Sequence, residues 1–248
     1  MDTTLIHQAE CGDFRSIARC ISLIEHHSDE AQRIISGIKI NSAVPVIGIT
    51  GPPGAGKSTL VDALIGTYIA EGKQIAVLCV DPSSPFHSGA LLGDRIRMNR
   101  WYEHPQVFIR SLSSRGSLGG LHPEIGVITD FLKGCGFDLV LVETVGVGQS
   151  EVEIVRQATV TLLVLVPESG DEVQFMKSGL MEAADIFVVN KSDRPGADRF
   201  ASRLRTVLHA GTRIFAVPDP VVSIIATTGE GIEQLKEIVT SLIANKKQ

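Results

Sequence analysis

Hydrophobic positions recur at helical spacing through the first part of the chain. Leu5, Ile6, Ala9, Phe14, Ile17, Ala18, Ile21 and Ile24 carry that spacing, and a second helical pattern runs from Asp29 to about Ile38. An N-terminal helical pair is predicted. The pattern then changes. Short β-branched runs, "VPVIGIT", "QIAVLCV", "QVFIRSL", "DLVLVET", "TLLVLVP", "DIFVVNK" and "VVSIIAT", alternate with amphipathic segments. Runs that are apolar throughout suit strands covered on both sides, so the prediction is an α/β fold, a mostly parallel sheet flanked by helices. Glycine- or proline-rich joints follow several of these runs, at the carboxyl ends where ligands of open α/β sheets bind.

Composition narrows the class. The 248 residues are 44% hydrophobic and 21% charged, enough for one large globular domain with a small appendage. The net charge of −5 argues against a general nucleic-acid surface, because phosphate-backbone binders usually show a basic excess. Cys11, Cys20, Cys79 and Cys135 form no CxxC pair, which fits inert thiols in a reducing cytosol and a cytoplasmic location better than zinc or disulfides. "MDTTLIHQAE" begins acidic without a long apolar core, so no secretory signal is expected. No window approaches the ~18 apolar residues of a membrane span, so no membrane partner is expected either.

The stretch "VIGITGPPGAGKSTLVDALI" carries the first candidate chemistry. Gly51, Gly56, Lys57 and Ser58 match GxxxxGK[ST] between a predicted strand and a predicted helix, the context that this phosphate-binding loop needs. Backbone amides of a glycine-rich turn curl around phosphate oxygens, the helix N-terminus adds partial positive charge, a lysine reaches the β/γ oxygens and a hydroxyl ligates Mg²⁺. The candidate cradle is therefore Gly54, Ala55, Gly56, Lys57, Ser58 and Thr59, with Lys57 also catalytic.

A nucleotide held this way needs carboxylates for the Mg²⁺ shell. Asp81 closes "QIAVLCVD" and Glu143 closes "FDLVLVE", and together with Ser58 they are candidate metal ligands. Asp94, in the glycine-rich "HSGALLGD" segment, is a third carboxylate on an expected mobile loop, and would serve equally well as a helix N-cap. Gly146 stands three residues after Glu143 in "ETVGVGQSE", the spacing at which a switch glycine offers its N–H to a γ-phosphate. Ras-like enzymes place a water-orienting Gln directly after that glycine. Val147 stands there instead and Gln149 lies at another offset, so hydrolysis is expected to be slow without a further group.

"FVVNKSD" supplies the base reader. Asn190, Lys191 and Asp193 match NKxD: Asp193 can accept from guanine N1–H and its exocyclic amine, Lys191 can lie along the base plane, and Asn190 can tie the loop to the phosphate cradle. In "IATTGEG" the backbone N–H of Ala226 is the candidate partner of guanine O6, although Ile225 stands where most GTPases have Ser. GTP is thus the expected nucleotide. The division expected is a helical extension over residues 1–42 and a P-loop GTPase domain over 43–248.

Taken together, "GPPGAGKST", "VDPSSP", "GALLGDRIRM", "ETVGVGQSE", "GDEVQFMKSGLMEAADIFVVNKSD" and "RPGADR" resemble the MeaB/ArgK-type GTPases, the methylmalonyl-CoA mutase-associated chaperones once labelled LAO/AO transport ATPases. The N-terminal "RSIARCISLIE" is similar to that family as well. The resemblance implies a GTPase that escorts an adenosylcobalamin-dependent acyl-CoA mutase, gating cofactor delivery and protecting or reviving the mutase, which in turn stimulates hydrolysis. It also implies that Asp81, Asp94 and Glu143 surround Mg²⁺. The "SGDEVQFMKSG" loop, with Asp171, Glu172, Gln174 and Lys177, would be an extra switch facing the mutase. Lys177 is then the candidate cation for transition-state charge, against the plain reading of a solvated lysine. Family members usually continue past the final helix with an arm that builds a homodimer; the resemblance implies a homodimer, and reaching Gln248 soon after "GIEQLKEIVTSLIANKK" is a departure from that pattern.

Two other classes share parts of this pattern. Nickel-delivery maturation GTPases usually show His or Cys ligands near the phosphate loop or switch, where this chain has Cys79 and His87. A small-molecule kinase or transport-linked ATPase would need adenine selectivity, which "NKSD" disfavours. Replacing Asp193 with Asn is expected to move preference from guanine towards xanthine nucleotides, measured by competition against a fluorescent guanine nucleotide.

Overall fold

A computed structural model describes residues 2–81, 83–84, 87–90, 98–113, 124–144, 157–167, 180–211 and 214–246. The first apolar pattern is divided into two helices, α1 (Asp2–Glu10) and α2 (Phe14–Glu25). Gly12, at φ 82°, makes the break in a conformation that other residues rarely adopt. Asp13 then caps α2, its carboxylate accepting from the Ser16 amide at 2.8 Å. With α3 (Asp29–Gly37) the N-terminal segment has three helices where residue spacing alone predicts a pair.

The seven β-branched runs become β1 (Val46–Thr50), β2 (Ile75–Asp81), β5 (Val107–Ser113), β6 (Leu139–Glu143), β7 (Val160–Leu165), β8 (Ile186–Val189) and β9 (Val221–Ser223). They form one seven-stranded sheet in the order β5-β2-β6-β1-β7-β8-β9. Each of its ladders is parallel. A small antiparallel pair, β3 (Ser83–Ser84) with β4 (His87–Ala90), lies outside it. The opening of "HSGALLGD", expected as a loop, is therefore strand. Its serine, glycine and histidine give none of the apolar patterning by which strands are read.

Helices cover both faces. One face of the sheet, including Ile47, Ile49, Leu139 and Leu141, meets Leu60, Leu64 and Ile65 of α4 (Lys57–Ala70) and Leu235, Val239 and Leu242 of α8 (Ile232–Lys246). Alternate residues of the same strands, Val46, Val140 and Val142, face Ile17, Ile21 and Ile24 of α2 and Ile128, Phe131 and Leu132 of α5 (Ile125–Lys133). The short α6 (Leu180–Ala183) precedes β8, and α7 (Ala197–Ala210) packs Ala201, Leu204 and Leu208 on Leu163, Phe187 and Val189. Burial on both sides is why β1, β6 and β7 are apolar without alternation.

Ion pairs pin the layers. Arg110 of the edge strand β5 donates to Ser22 Oγ at 3.1 Å and pairs with Glu25, fastening α2 to the sheet. Arg100, in the 3₁₀ turn Asn99–Trp101, grips Asp62 of α4 through Nη2 at 2.6 Å and Nε at 3.0 Å. Trp101 Nε1 adds a third bond to Asp62 at 2.7 Å, and the Arg100 guanidinium lies 4.5 Å from the centre of the Trp101 ring. Lys236 of α8 pairs with Glu71 and Glu233, and Lys246 reaches Asp185 at 2.9 Å.

Three of the four cysteines are buried and Cys11 is exposed. Burial pushes the Cys20 thiol up to about 11 and raises that of Cys135 further still. Both folded values exceed that of an unfolded thiol, so the contribution of these groups to stability is present below about pH 9 and declines as pH rises above it. A thiol-reactive dye at pH 8 is therefore expected to label one cysteine per chain quickly, Cys11, and all four only in denaturant.

Candidate functional site

The sheet's connections part at β1: β6, β2 and β5 lie to one side, β7, β8 and β9 to the other. Ligands of open α/β sheets gather beyond the carboxyl ends of strands at such a point. At the end of β1 the chain turns sharply into α4. Gly51 stands at φ 137°, and a Cβ there would lie 2.1 Å from the Val164 carbonyl oxygen of the neighbouring strand, so no larger residue fits. Gly56 precedes the first turn of α4 at φ 88°, and a Cβ would meet the Asn190 side-chain nitrogen at 2.4 Å. The two glycines bracket a tight turn whose amides and the α4 N-terminus form an anion-binding concavity.

Lys57 is buried under this turn. Its Nζ donates to the carbonyls of Gly51 at 2.8 Å and Pro52 at 3.1 Å, which folds the aliphatic stem back over the loop. Ser58 is buried beside it, its hydroxyl donating to Glu143 Oε1 at 2.7 Å. The bond sets a hydroxyl oxygen and a carboxylate side by side at the mouth of the phosphate turn. A hydroxyl and a carboxylate are hard oxygen donors of the kind Mg²⁺ takes along with phosphates and waters, so these two residues fit that ion. Thr59 is half-buried on the next turn position. It lines a groove of about 960 Å³ between α4 and α8, together with Asp62, Arg100, Thr227, Glu233 and Lys236.

Asn190, fully buried at the end of β8, joins three segments. Its Nδ2 donates to the Ala55 carbonyl at 2.8 Å, and its Oδ1 accepts from the Lys191 amide at 2.8 Å and the Ala226 amide at 3.1 Å. Lys191, held at φ 58°, reaches back with Nζ to the Gly54 carbonyl at 2.8 Å. Asp193 stands exposed two residues on, in a turn tied to the strand after it by the Ser192 amide on the Ile224 carbonyl at 3.0 Å. The Ala226 amide, expected to face guanine O6, is directed at Asn190.

Asp81 and Glu143 each close a strand, as their positions in the chain suggested. Glu143 lies opposite Cys79 of β2, so Asp81 sits two residues further along that strand, and its side chain lies outside the described residues. Asp94, Gly146 and Lys177 lie outside them altogether, as do Val147, Gln149, Asp171, Glu172 and Gln174. Among the described residues no group of three or more His, Cys, Asp and Glu side chains is gathered to hold a metal ion, so the nickel-delivery alternative gains no ligand cluster there. No helix among them is long and apolar enough to cross a membrane.

Two contacts were not anticipated from the sequence. The Thr144 hydroxyl donates to the Thr50 hydroxyl at 3.1 Å, both side chains being fully buried, and Asp62 clamps Arg100 and Trp101. A polar residue ending an apolar strand was the available signal for Thr50 and Thr144. Nothing in the sequence linked Asp62 to Arg100.

Sheet order, the glycine-bracketed turn after the central strand and the helix behind it define a P-loop NTPase. The chain matches the family described as methylmalonyl Co-A mutase-associated GTPase MeaB over residues 17–247, and belongs to that family of guanine-nucleotide enzymes. A putative GTPase of Pyrococcus horikoshii is 48% identical over 238 residues, covering 94% of this chain and 75% of that one. A protein of Geobacillus kaustophilus named fused isobutyryl-CoA mutase is 39% identical over 207 residues, 79% of this chain but 19% of that much longer one. The solved structure of an LAO/AO transport system kinase superposes with a TM-score of 0.77 at 27% identity, covering 97% of this chain and 74% of that one.

Gly56→Ala forces a side chain into a left-handed backbone and against Asn190. The expected outcome is a loss of stability of about 1–3 kcal/mol in denaturant titration, together with loss of nucleotide retention on gel filtration.

Proposed function

We propose that this chain is a switch that binds GTP with Mg²⁺ along the carboxyl rim of the sheet, hydrolyses it slowly when alone, and serves an adenosylcobalamin-dependent acyl-CoA mutase by gating cofactor delivery, protection or reactivation. The observation that carries the nucleotide half is the junction at Asn190, which locks the phosphate turn, the NKSD loop and the Ala226 loop into one unit. A ligand with phosphates at one end and a purine at the other would meet both halves of a single preformed surface.

In this reading the amides of Gly54 to Thr59 cradle the phosphates and Lys57 neutralises charge at the β/γ oxygens. Ser58 and Glu143 hold the cation site, with Asp81 and Asp94 completing its shell. Bound Mg²⁺ would supply charge neutralisation on the β- and γ-phosphates. Asp193 selects guanine by accepting from N1–H and the exocyclic amine, while Lys191 keeps the loop against the phosphate turn. Gly146 reports the γ-phosphate through its N–H. With Val147 after it, no side chain at that position polarises water, so acceleration falls to Lys177 once a partner orders its loop.

The mutase half is supported by the family description and by the relative named fused isobutyryl-CoA mutase. Titration calorimetry with Mg²⁺ present is expected to show GTP binding at least about tenfold tighter than ATP, as a lost hydrogen-bond partner for Asp193 implies. GTP turnover is expected to rise several-fold when the cognate mutase is added. Equal affinity for ATP would remove the guanine assignment. Failure of every cobalamin-dependent acyl-CoA mutase tested to bind or stimulate would remove the chaperone assignment and leave the GTPase in place.

A further inference from the structure

The ladder between β1 and β6 ends at Ile49 opposite Glu143, and the Thr144 amide closes it with a bond to the Ile49 carbonyl at 3.0 Å. Beyond this point β1 enters the phosphate turn through Gly51, and Glu143 is the last residue of β6. One residue past the end of the ladder, the Thr144 hydroxyl donates to the Thr50 hydroxyl at 3.1 Å, and the two side chains are 1% and 0% exposed.

The position of this cross-link gives it a consequence for the site. Thr50 directly precedes Gly51, whose carbonyl accepts from Lys57, and Thr144 directly follows Glu143, whose carboxylate accepts from Ser58. Ser58 is carried by β1 through the phosphate turn, whereas Glu143 is carried by β6. The separation of these two oxygen donors therefore depends on how β1 and β6 are held at their very ends, where backbone pairing has stopped. Mg²⁺ demands near-ideal octahedral geometry at short distances, so a small drift between the strand ends costs cation affinity while leaving the amide cradle intact.

Resting on the reading of the site as one for guanine nucleotide with Mg²⁺, we propose that the Thr50–Thr144 hydroxyl pair positions Ser58 and Glu143 for the divalent cation. These threonines are positioning residues: they touch neither phosphate nor metal, and they set how strongly Mg²⁺ tightens nucleotide binding rather than how well the nucleotide itself is held.

The test uses the full chain and a fluorescent GDP, titrated in excess Mg²⁺ and again in chelator, alongside thermal unfolding. Thr144→Val removes one hydroxyl and leaves the other buried without that partner, so it can harm the fold. Thr50→Val with Thr144→Val removes both polar groups at similar shape, which can leave stability nearly unchanged. In the double variant the ratio of affinities with and without Mg²⁺ is expected to fall about tenfold, the scale of one buried hydrogen bond. Its affinity in chelator should stay within about twofold of wild type and its melting temperature close to it. Thr144→Ser, which keeps the hydroxyl, should retain most of the wild-type ratio.

A double variant with the wild-type ratio would overturn the proposal and leave the pair as packing alone. So would a loss of affinity in chelator equal to that in Mg²⁺. If wild type binds no guanine nucleotide in either condition, the nucleotide assignment falls and this inference with it. Normal wild-type binding with unaffected variants overturns the inference alone.

Discussion

Everything at the rim follows from the contact between Gly51 and the carbonyl of Val164. A central strand pressed between β6 and β7 has no room to turn unless the residue after it lacks a side chain, and at Gly51 a single added carbon would lie 2.1 Å from that oxygen. The turn is thereby forced close against β7, and α4 starts beneath it with Lys57 and Ser58 already buried. Glu143 comes within reach of Ser58 because β6 is the parallel neighbour of β1 and ends level with it. Asn190 reaches Ala55 for the same reason from the other side, through β7 and β8. The site is a property of strand order as much as of the motif.

Much of this was legible in the sequence, and the reasons are physical. Strands buried on both faces must be apolar at every position, so the seven runs announced themselves without alternation. The phosphate turn was equally plain, because its residues act through local backbone geometry and their spacing survives in one short string. The divided N-terminal pattern was harder. Apolar residues continue at helical spacing from Leu5 to Ile24, and only Gly12 with the capping Asp13 marks the break. The β3–β4 pair was missed because its residues are polar or small and carry no burial pattern.

Contacts between distant residues were the ones hidden. Threonine in a strand is ordinarily a β-branched filler, and no local rule says that the hydroxyls of Thr50 and Thr144 meet across 94 positions. Asp62 looks like a solvated helix residue until Arg100 and Trp101 fold onto it. The Ala226 amide shows the opposite limit: its loop was recognisable, but the direction of one N–H depends on where the Asn190 carbonyl oxygen sits. Chain order identifies the parts of such a site more readily than the hydrogen bonds that divide labour among them.

Arg110 carries a last implication, for what the sheet does not do. An open sheet ends in two rows of unpaired peptide groups, each a template for a foreign strand. At one margin β9 is three residues long, too short to recruit much. At the other, β5 is seven residues long, but Arg110 turns its charge inward to Glu25 and Ser22 rather than presenting an uninterrupted apolar face. A one-residue slip of β5 against β2 would turn that guanidinium to the opposite face, away from its carboxylate, so the pair also fixes the register of the outermost strand.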